Sequence, residues 1–71
     1  MADQELAFSF QVPAEFEKLV ELTVTEFCNY VDVQAADNPH FVQFNVTVKG
    51  AFPAYHAYKL GYRIGEIITG K

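Results

Sequence analysis

The sequence predicts an α+β fold of two layers, with the element order β-α-β-α and both helices covering one face of a small sheet. Apolar residues alternate with a period of two in two segments and recur every three to four residues in two others. The chain has 71 residues, so we expect a single domain over residues 1–71. Residues 1–5 are polar and acidic, and we expect them to form a mobile lead-in.

The first strand is predicted at residues 6–12, where even-numbered residues are apolar and odd-numbered residues are small or polar. Pro13 ends this strand and suits the first turn of a helix. The period then becomes 3.6, which predicts a helix over residues 13–33. Residues 30–35 also fit an extra strand that forms a hairpin with the segment after it. The apolar stripe of the helix consists of Phe16, Leu19, Val20, Thr23, Val24, Phe27, Tyr30 and Val31.

A second strand is predicted at residues 40–49, after a turn at 36–39. Its apolar face carries Val42, Phe44, Val46 and Val48. A last helix is predicted over residues 53–69, closed by Gly70 where a left-handed cap is favoured. Two strands alone make a poor sheet. Either a strand at 30–35 or the sheet of a second copy should complete it, and we favour the second copy.

The composition predicts association with another chain. Hydrophobic residues make up 51% of the sequence and aromatic residues 15%, although so short a chain buries only about 60% of its unfolded surface. Small domains compensate with disulfides, a metal or oligomerisation. The single cysteine excludes an internal disulfide. We therefore expect a homodimer, with another protein as a further partner.

The charge and the motifs exclude several classes of function. The net charge of −4 argues against a general nucleic-acid binder, which needs a basic face. Neither a secretory leader nor a membrane span is visible, so we expect the cytoplasm, where one thiol stays reduced. The candidate metal ligands, Cys28, Asp37, His40 and His56, lack the spacing of a metal site. We expect neither a metal nor a cofactor, and we assign no catalytic residue.

The last helix carries the candidate interface. At about 100° per residue, one side of this helix is apolar and carries Ala57, Leu60, Gly61, Ile64, Ile67 and Ile68. The opposite side presents Tyr55, Tyr58, Lys59, Tyr62 and Arg63. Tyrosine and arginine are enriched where proteins contact one another. The sequence therefore predicts a small intracellular, homo-oligomeric protein-interaction or regulatory module that contacts its partner through this helix.

Small residues in the same helix need an explanation. Ala54, Ala57, Gly61 and Gly65 recur along it, although glycine costs up to about 1 kcal/mol relative to alanine inside a helix. Small side chains let another backbone approach closely. We expect the sheet or the first helix to be that neighbour, with a helix–helix contact between two copies as the alternative.

Two other functions are weighed against the interaction module. A small ligand-binding protein or minimal enzyme would use Tyr55, His56 and Lys59 in a pocket between subunits. An acidic inhibitor that imitates nucleic acid would use acids clustered on one exposed face. The acids that supply a partial version of that face are Glu17, Glu21 and Asp32.

Overall fold

Residues 4–70 are described by the computed structural model and form three strands and two helices. The elements are β1 (Gln4–Pro13), α1 (Glu17–Phe27), β2 (Tyr30–Ala35), β3 (Phe41–Gly50) and α2 (Pro53–Thr69). A short 3-10 turn, Ala14–Phe16, joins β1 to α1. The strands form one antiparallel sheet of order β1-β3-β2, in which β3 is central. The α+β prediction is confirmed.

The sheet has two chemically different faces, as the alternation predicts. The apolar face consists of Leu6, Phe8, Phe10 and Val12 from β1 and Val42, Phe44, Val46 and Val48 from β3. The polar face includes Ser9 and Gln11 from β1 and Gln43, Asn45 and Thr47 from β3. Phe10 lies opposite Phe44, and their rings stack with centroids 5.5 Å apart. The paired strands therefore align their apolar side chains across the sheet.

The predicted helix over residues 13–33 is wrong at its end. α1 stops at Phe27, and Cys28 is extended with φ −118° and ψ 152°. Asn29 then ties the chain to β3, because its N–H donates to the carbonyl of Thr47 at 2.9 Å and its Oδ1 accepts from the N–H of Lys49 at 2.8 Å. The element order is thus β-α-β-β-α, and the alternative strand at 30–35 is the one that forms.

The first strand also begins earlier than predicted. Gln4 and Glu5, expected in the mobile lead-in, pair with Gly50 and Lys49 of β3. The ammonium of Lys49 lies 3.6 Å from the carboxylate of Glu5, an exposed ion pair that contributes little. The rest of the predicted lead-in, residues 1–3, lies outside the described residues.

The core contains buried residues from the sheet and from both helices. Val20 and Val24 from α1 and Leu60 and Ile64 from α2 belong to one buried cluster with Phe44 of β3. Each residue pair within a helix is one turn apart, so it forms the centre of an apolar stripe. Burying one such side chain contributes about 1.5–3 kcal/mol.

The ends of α2 agree with the prediction. The helix begins at Pro53, where the missing proline N–H costs nothing because the first turn has no intrahelical partner for it. Gly70 follows the last residue with φ 77° and ψ 22°, and its N–H donates to the carbonyl of Glu66 at 2.9 Å. A side chain at Gly70 would be strained in this left-handed conformation.

Candidate functional site

The exposed side of α2 holds the residues predicted as an interface. We call Tyr55, Tyr58, Lys59, Tyr62 and Arg63 the tyrosine face. All five side chains are exposed, and the three tyrosines are 57%, 70% and 64% accessible in chain order. Leu60 and Ile64, on the opposite side of the helix, are buried in the core. The structure therefore places the tyrosine face away from the core, where another molecule can reach it.

Only weak contacts hold the charged groups of the tyrosine face. The ammonium of Lys59 lies 5.7 Å from the centroid of the Tyr55 ring, a cation–π contact worth about 0.5–1 kcal/mol at an exposed site. The guanidinium of Arg63 lies 3.9 Å from the carboxylate of Glu66, and this exposed pair contributes little. Both cations can therefore reorient toward a partner at small cost.

Two exposed leucines on α1 were missed by sequence reasoning. Leu19 was expected in the apolar stripe, but Leu19 and Leu22 are both more than half exposed. Thr23 lines a crevice between the helices together with Arg63 and other residues of α2. Leu19 lies one turn before Thr23, whose hydroxyl donates to the carbonyl of Leu19 at 3.1 Å. Leu19 lies at the margin of the predicted stripe, which was the available signal, whereas Leu22 lies outside the stripe and the pattern gave no signal for it.

The glycines of α2 face open space, which overturns one expectation. An added Cβ at Gly61 or at Gly65 would meet no atom within 4 Å among the described residues. Neither the sheet nor α1 approaches these positions closely, so the expected packing reason for the glycines is wrong. A contact with another copy remains as the predicted alternative. We call Ala57, Gly61 and Gly65 the glycine flank of α2.

An apolar groove lies between the glycine flank and β1. Its volume is about 310 Å³. It is lined by Phe8, Phe10, Gln11 and Val12 of β1 and by Ala57, Leu60, Gly61, Ile64 and Ile68 of α2. Phe8 and Phe10 are only half-buried there. The groove therefore leaves apolar surface of the core open to solvent along one edge of the sheet.

The structure brings together the residues of one alternative function but not those of the other. Tyr55 and His56 are in edge contact, with ring centroids 5.9 Å apart, and Lys59 lies beside the first ring, but all three are exposed. Glu17 and Glu21 lie on α1, whereas Asp32 lies opposite Asn45 on the polar face of the sheet. The structure brings the first set together and distributes the acids over two elements. The acids therefore do not form the single exposed face that a nucleic-acid mimic requires.

The single thiol lies beside the core. Cys28 is half-buried and packs against the buried cluster. Burial raises the pKa of the Cys28 thiol above its ordinary value of 9.0, because the thiolate is poorly solvated there. The thiolate fraction at neutral pH is correspondingly small, which lowers the reactivity of this cysteine.

No protein-family model, no curated protein and no solved structure matches this chain. Neither helix within residues 4–70 is long and apolar enough to cross a membrane. In the same range, no group of three or more His, Cys, Asp or Glu side chains comes together as a metal site. The candidate site is accordingly assigned from exposure and geometry.

Proposed function

We propose that this chain is a small cytoplasmic, homo-oligomeric protein-interaction module that contacts its partner through α2. The tyrosine face carries the proposal, because Tyr55, Tyr58 and Tyr62 are all more than half exposed on one side of one helix. Tyrosine and arginine supply much of the energy at protein interfaces. Covering the rings in a partner would remove large apolar areas from water.

Both helices cover the apolar face of the sheet in this proposal. The supporting observation is that Val20 and Val24 of α1 share one buried cluster with Leu60 and Ile64 of α2 and with Phe44. The outer sides of the two helices then form one surface. On that surface the exposed leucines of α1 extend the tyrosine face and enlarge the area that a partner can cover.

The cytoplasm suits the state of the cysteine. Cys28 is the one cysteine in the sequence and is free in the structure. A reducing compartment keeps such a thiol from pairing with other molecules. The proposed location is tested by fractionating cells that produce the chain: recovery with the cytoplasm supports it, and recovery outside the cytoplasm would overturn it.

The proposed interface is tested by removing two rings. The double variant Tyr58→Ala with Tyr62→Ala should shift the mass in solution toward 8.0 kDa, the mass of one chain, because each lost ring removes apolar contact area. Light scattering after size-exclusion chromatography measures that mass. The matched control is Tyr30→Ala, since Tyr30 is also 56% exposed but lies on β2.

Three outcomes decide the proposal. Dissociation of the double variant, with the Tyr30→Ala control still associated, supports the tyrosine face as the interface. An unchanged mass and an unchanged melting temperature in the double variant would remove the tyrosine face from that role. A wild-type chain that stays folded and monomeric when concentrated would remove the homo-oligomer altogether.

A small-ligand site is the second candidate function. It is supported by the juxtaposition of the Tyr55 ring, the His56 ring and the Lys59 ammonium. Such a group suits an anionic ligand, because the Lys59 ammonium, the Tyr55 hydroxyl and an imidazole N–H of His56 can all donate hydrogen bonds. Titration with inorganic phosphate, followed through the imidazole signals of His56, should give a saturable shift that Lys59→Ala abolishes. A shift that is absent, or that survives Lys59→Ala, would count against this candidate.

A further inference from the structure

The free edge of β1 is a long surface of unpaired backbone. β1 spans Gln4–Pro13 and pairs on one side with β3, and no other strand within residues 4–70 pairs with its second side. Exposed strand edges readily pair with strands of other chains. This edge lies beside the apolar groove, so backbone and apolar groups are exposed together.

The sheet register shows which backbone groups point outward. The N–H of Ala14 donates to the carbonyl of His40 at 2.8 Å, in line with the register that pairs Pro13 with Phe41. Opposite residues in an antiparallel pair alternate between bonded and non-bonded positions. Even-numbered residues of β1 therefore bond to β3, and odd-numbered residues direct their N–H and C=O groups outward. The outward set consists of Glu5, Ala7, Ser9 and Gln11.

This edge lacks the usual protection against pairing. Natural edge strands carry lysines, inward-pointing charges, prolines or bulges that prevent another strand from docking. The segment from Leu6 to Val12 contains neither a charged residue nor a proline. Pro13 has no N–H to offer, but it stands at the end of the strand. The central part of the edge is open to a second strand.

We propose that two copies of this chain join through the free edges of β1, as antiparallel strands around a two-fold axis. Outward-directed residues must pair with outward-directed residues, so odd numbers meet odd numbers and the apolar faces of both sheets lie on the same side. The register that opposes all four outward-directed residues to one another places Glu5 opposite the partner's Gln11 and Ala7 opposite the partner's Ser9, and this is the register that we propose. Phe8 meets the partner's Phe8 at the axis, and no like charges are opposed.

The glycine flank fits the same arrangement. α2 contacts both β1 and β3, which places it above the space between these strands. In the proposed dimer the two β1 strands are neighbours, so each α2 lies about one strand spacing from the two-fold axis. The axes of the two α2 helices are then two strand spacings apart, about 9.5 Å. Packed helices have axes about 8–10 Å apart. Helices at that distance need small residues between them. Ala57 and Gly61 line the groove beside β1, and Gly65 lies one turn beyond Gly61 on the same side of α2.

The size of the contact suits a stable dimer. A ten-residue strand is about 33 Å long. A helix and the sheet beneath it together are roughly 20 Å high. The footprint is then about 650 Å² on each copy, close to the roughly 800 Å² of a standard protein interface. The partner would also cover the exposed parts of Phe8 and Phe10 in the apolar groove. A second copy is therefore the occupant that matches the edge, the glycines and the groove together.

This inference rests on the proposed homo-oligomer and names where two copies meet. We call the contact between the two β1 edges and the two glycine flanks the seam. The test is Gly61→Glu, which places a carboxylate from each copy in the seam and should raise the dimer dissociation constant at least about tenfold. Glutamate favours a helix more than glycine does, so α2 should stay folded. The control is Thr25→Glu, the same change of charge at an exposed position on α1.

The masses of the variants separate this inference from the proposed function. A monomeric Gly61→Glu variant with a dimeric Thr25→Glu control supports the seam. A Gly61→Glu variant that keeps the wild-type mass overturns it. If the tyrosine double variant alone dissociates, the seam is refuted while the proposed function stands. A monomeric wild type refutes both.

Amide hydrogen exchange of the wild type tests the seam without any variant. In the proposed dimer the N–H groups of Ala7 and Ser9 bond to the partner and should exchange at least about tenfold more slowly at high protein concentration than at low concentration. The N–H groups of Val31 and Val33 point away from β3 on the other edge and should exchange at the same rate at both concentrations. Equal rates at both concentrations for Ala7 and Ser9 would overturn the proposal.

Discussion

The two edges of the sheet are built differently. β1 has ten residues, no other strand within residues 4–70 pairs with its outer side, and an apolar groove lies beside it. β2 has six residues, carries Asp32 at its centre, and packs against α1. β2 therefore has a short edge interrupted by a charge at its centre. The charge on β1, Glu5, lies near the start of a longer edge and leaves residues 6–12 uncharged. The difference indicates that β2 ends the sheet and that β1 is the edge at which it can continue.

The central strand supplies most of the buried side chains of the sheet, so the two edge strands can differ in sequence without loss of the fold. β3 pairs with both neighbours and contributes Phe44, Val46 and Val48, which are all buried. Neither edge strand contributes as many fully buried side chains, since β1 has only Val12 and β2 has none. Stability is concentrated in β3, which leaves the sequence of β1 free to serve another purpose.

The largest expected effect comes from the central strand. Phe44→Ala should lower the free energy of unfolding by about 3–5 kcal/mol, because it leaves a cavity in the buried cluster that Phe44 shares with residues of both helices. A domain of this size has a stability of only about 4–10 kcal/mol. Urea unfolding followed by circular dichroism measures the loss, with Phe44→Leu as a milder control. A loss below about 1 kcal/mol for Phe44→Ala would show that Phe44 does not anchor the core.

A matched pair of prolines compares the two edges directly. Ser9→Pro and Val33→Pro each remove an N–H that points away from β3, so neither breaks the hydrogen bonds within the sheet. Ser9→Pro should raise the dimer dissociation constant about tenfold or more, because it removes a bond across the proposed seam. Val33→Pro should leave the dissociation constant unchanged, although it loses some apolar packing. Light scattering over a range of concentrations measures both.

If Val33→Pro raises the dissociation constant and Ser9→Pro leaves it unchanged, the contact between copies lies on β2. In that case β1 would end the sheet, and the comparison between the edges would be reversed. Equal dissociation constants for both variants and the wild type would place the contact between copies away from either edge. Circular dichroism checks that each variant keeps its helices.

Sequence periodicity predicted β1, β3 and α2 well but misplaced the junction between α1 and β2, which was offered only as an alternative. The apolar stripe of α1 continues in register through Tyr30 and Val31, so the pattern alone does not mark where the helix ends. The deciding contacts come from Asn29, whose backbone and side chain both bond to β3. Such long-range hydrogen bonds have no local signature, because their partners lie about twenty residues away in the sequence.

The candidate site was partly predictable for a similar reason. The exposure of Tyr55, Tyr58 and Tyr62 follows from the helical period once Leu60 and Ile64 are known to face the core. The purpose of Gly61 does not follow from the period, since it depends on which neighbour approaches that side of α2. The free edge of β1 was equally hidden, because the strand order β1-β3-β2 depends on a third strand that the sequence offered only as an alternative.

Asn29→Ala tests whether β2 is fixed mainly at its start. The variant loses the acceptor for the N–H of Lys49, a hydrogen bond of 2.8 Å. We expect the free energy of unfolding to fall by about 0.5–1.5 kcal/mol. Urea unfolding measures this loss, and Asn38→Ala, which removes an acceptor in the exposed turn, serves as a control of similar chemistry. A loss no larger than that of the control would show that Asn29 does not hold β2 to β3.

The smallest expected effect is on the pH dependence of stability and comes from Cys28, which lies between α1 and β2. Its pKa is raised by burial above the ordinary value of 9.0. Well below pH 9.0 the thiol is protonated in both folded and unfolded chains, so it adds no pH dependence there. Above that pH the unfolded chain loses the proton first and binds fewer protons than the folded chain, so stability falls as pH rises.

Replacing the thiol isolates this contribution from the other groups that titrate in alkali. Between pH 7 and pH 10 the wild type should lose more stability than Cys28→Ala, because only the wild type must keep a desolvated thiol protonated. Urea midpoints of both proteins at the two pH values measure the difference. Equal losses would mean that solvent reaches Cys28 freely, in which case the start of β2 would be as open as the free edge of β1.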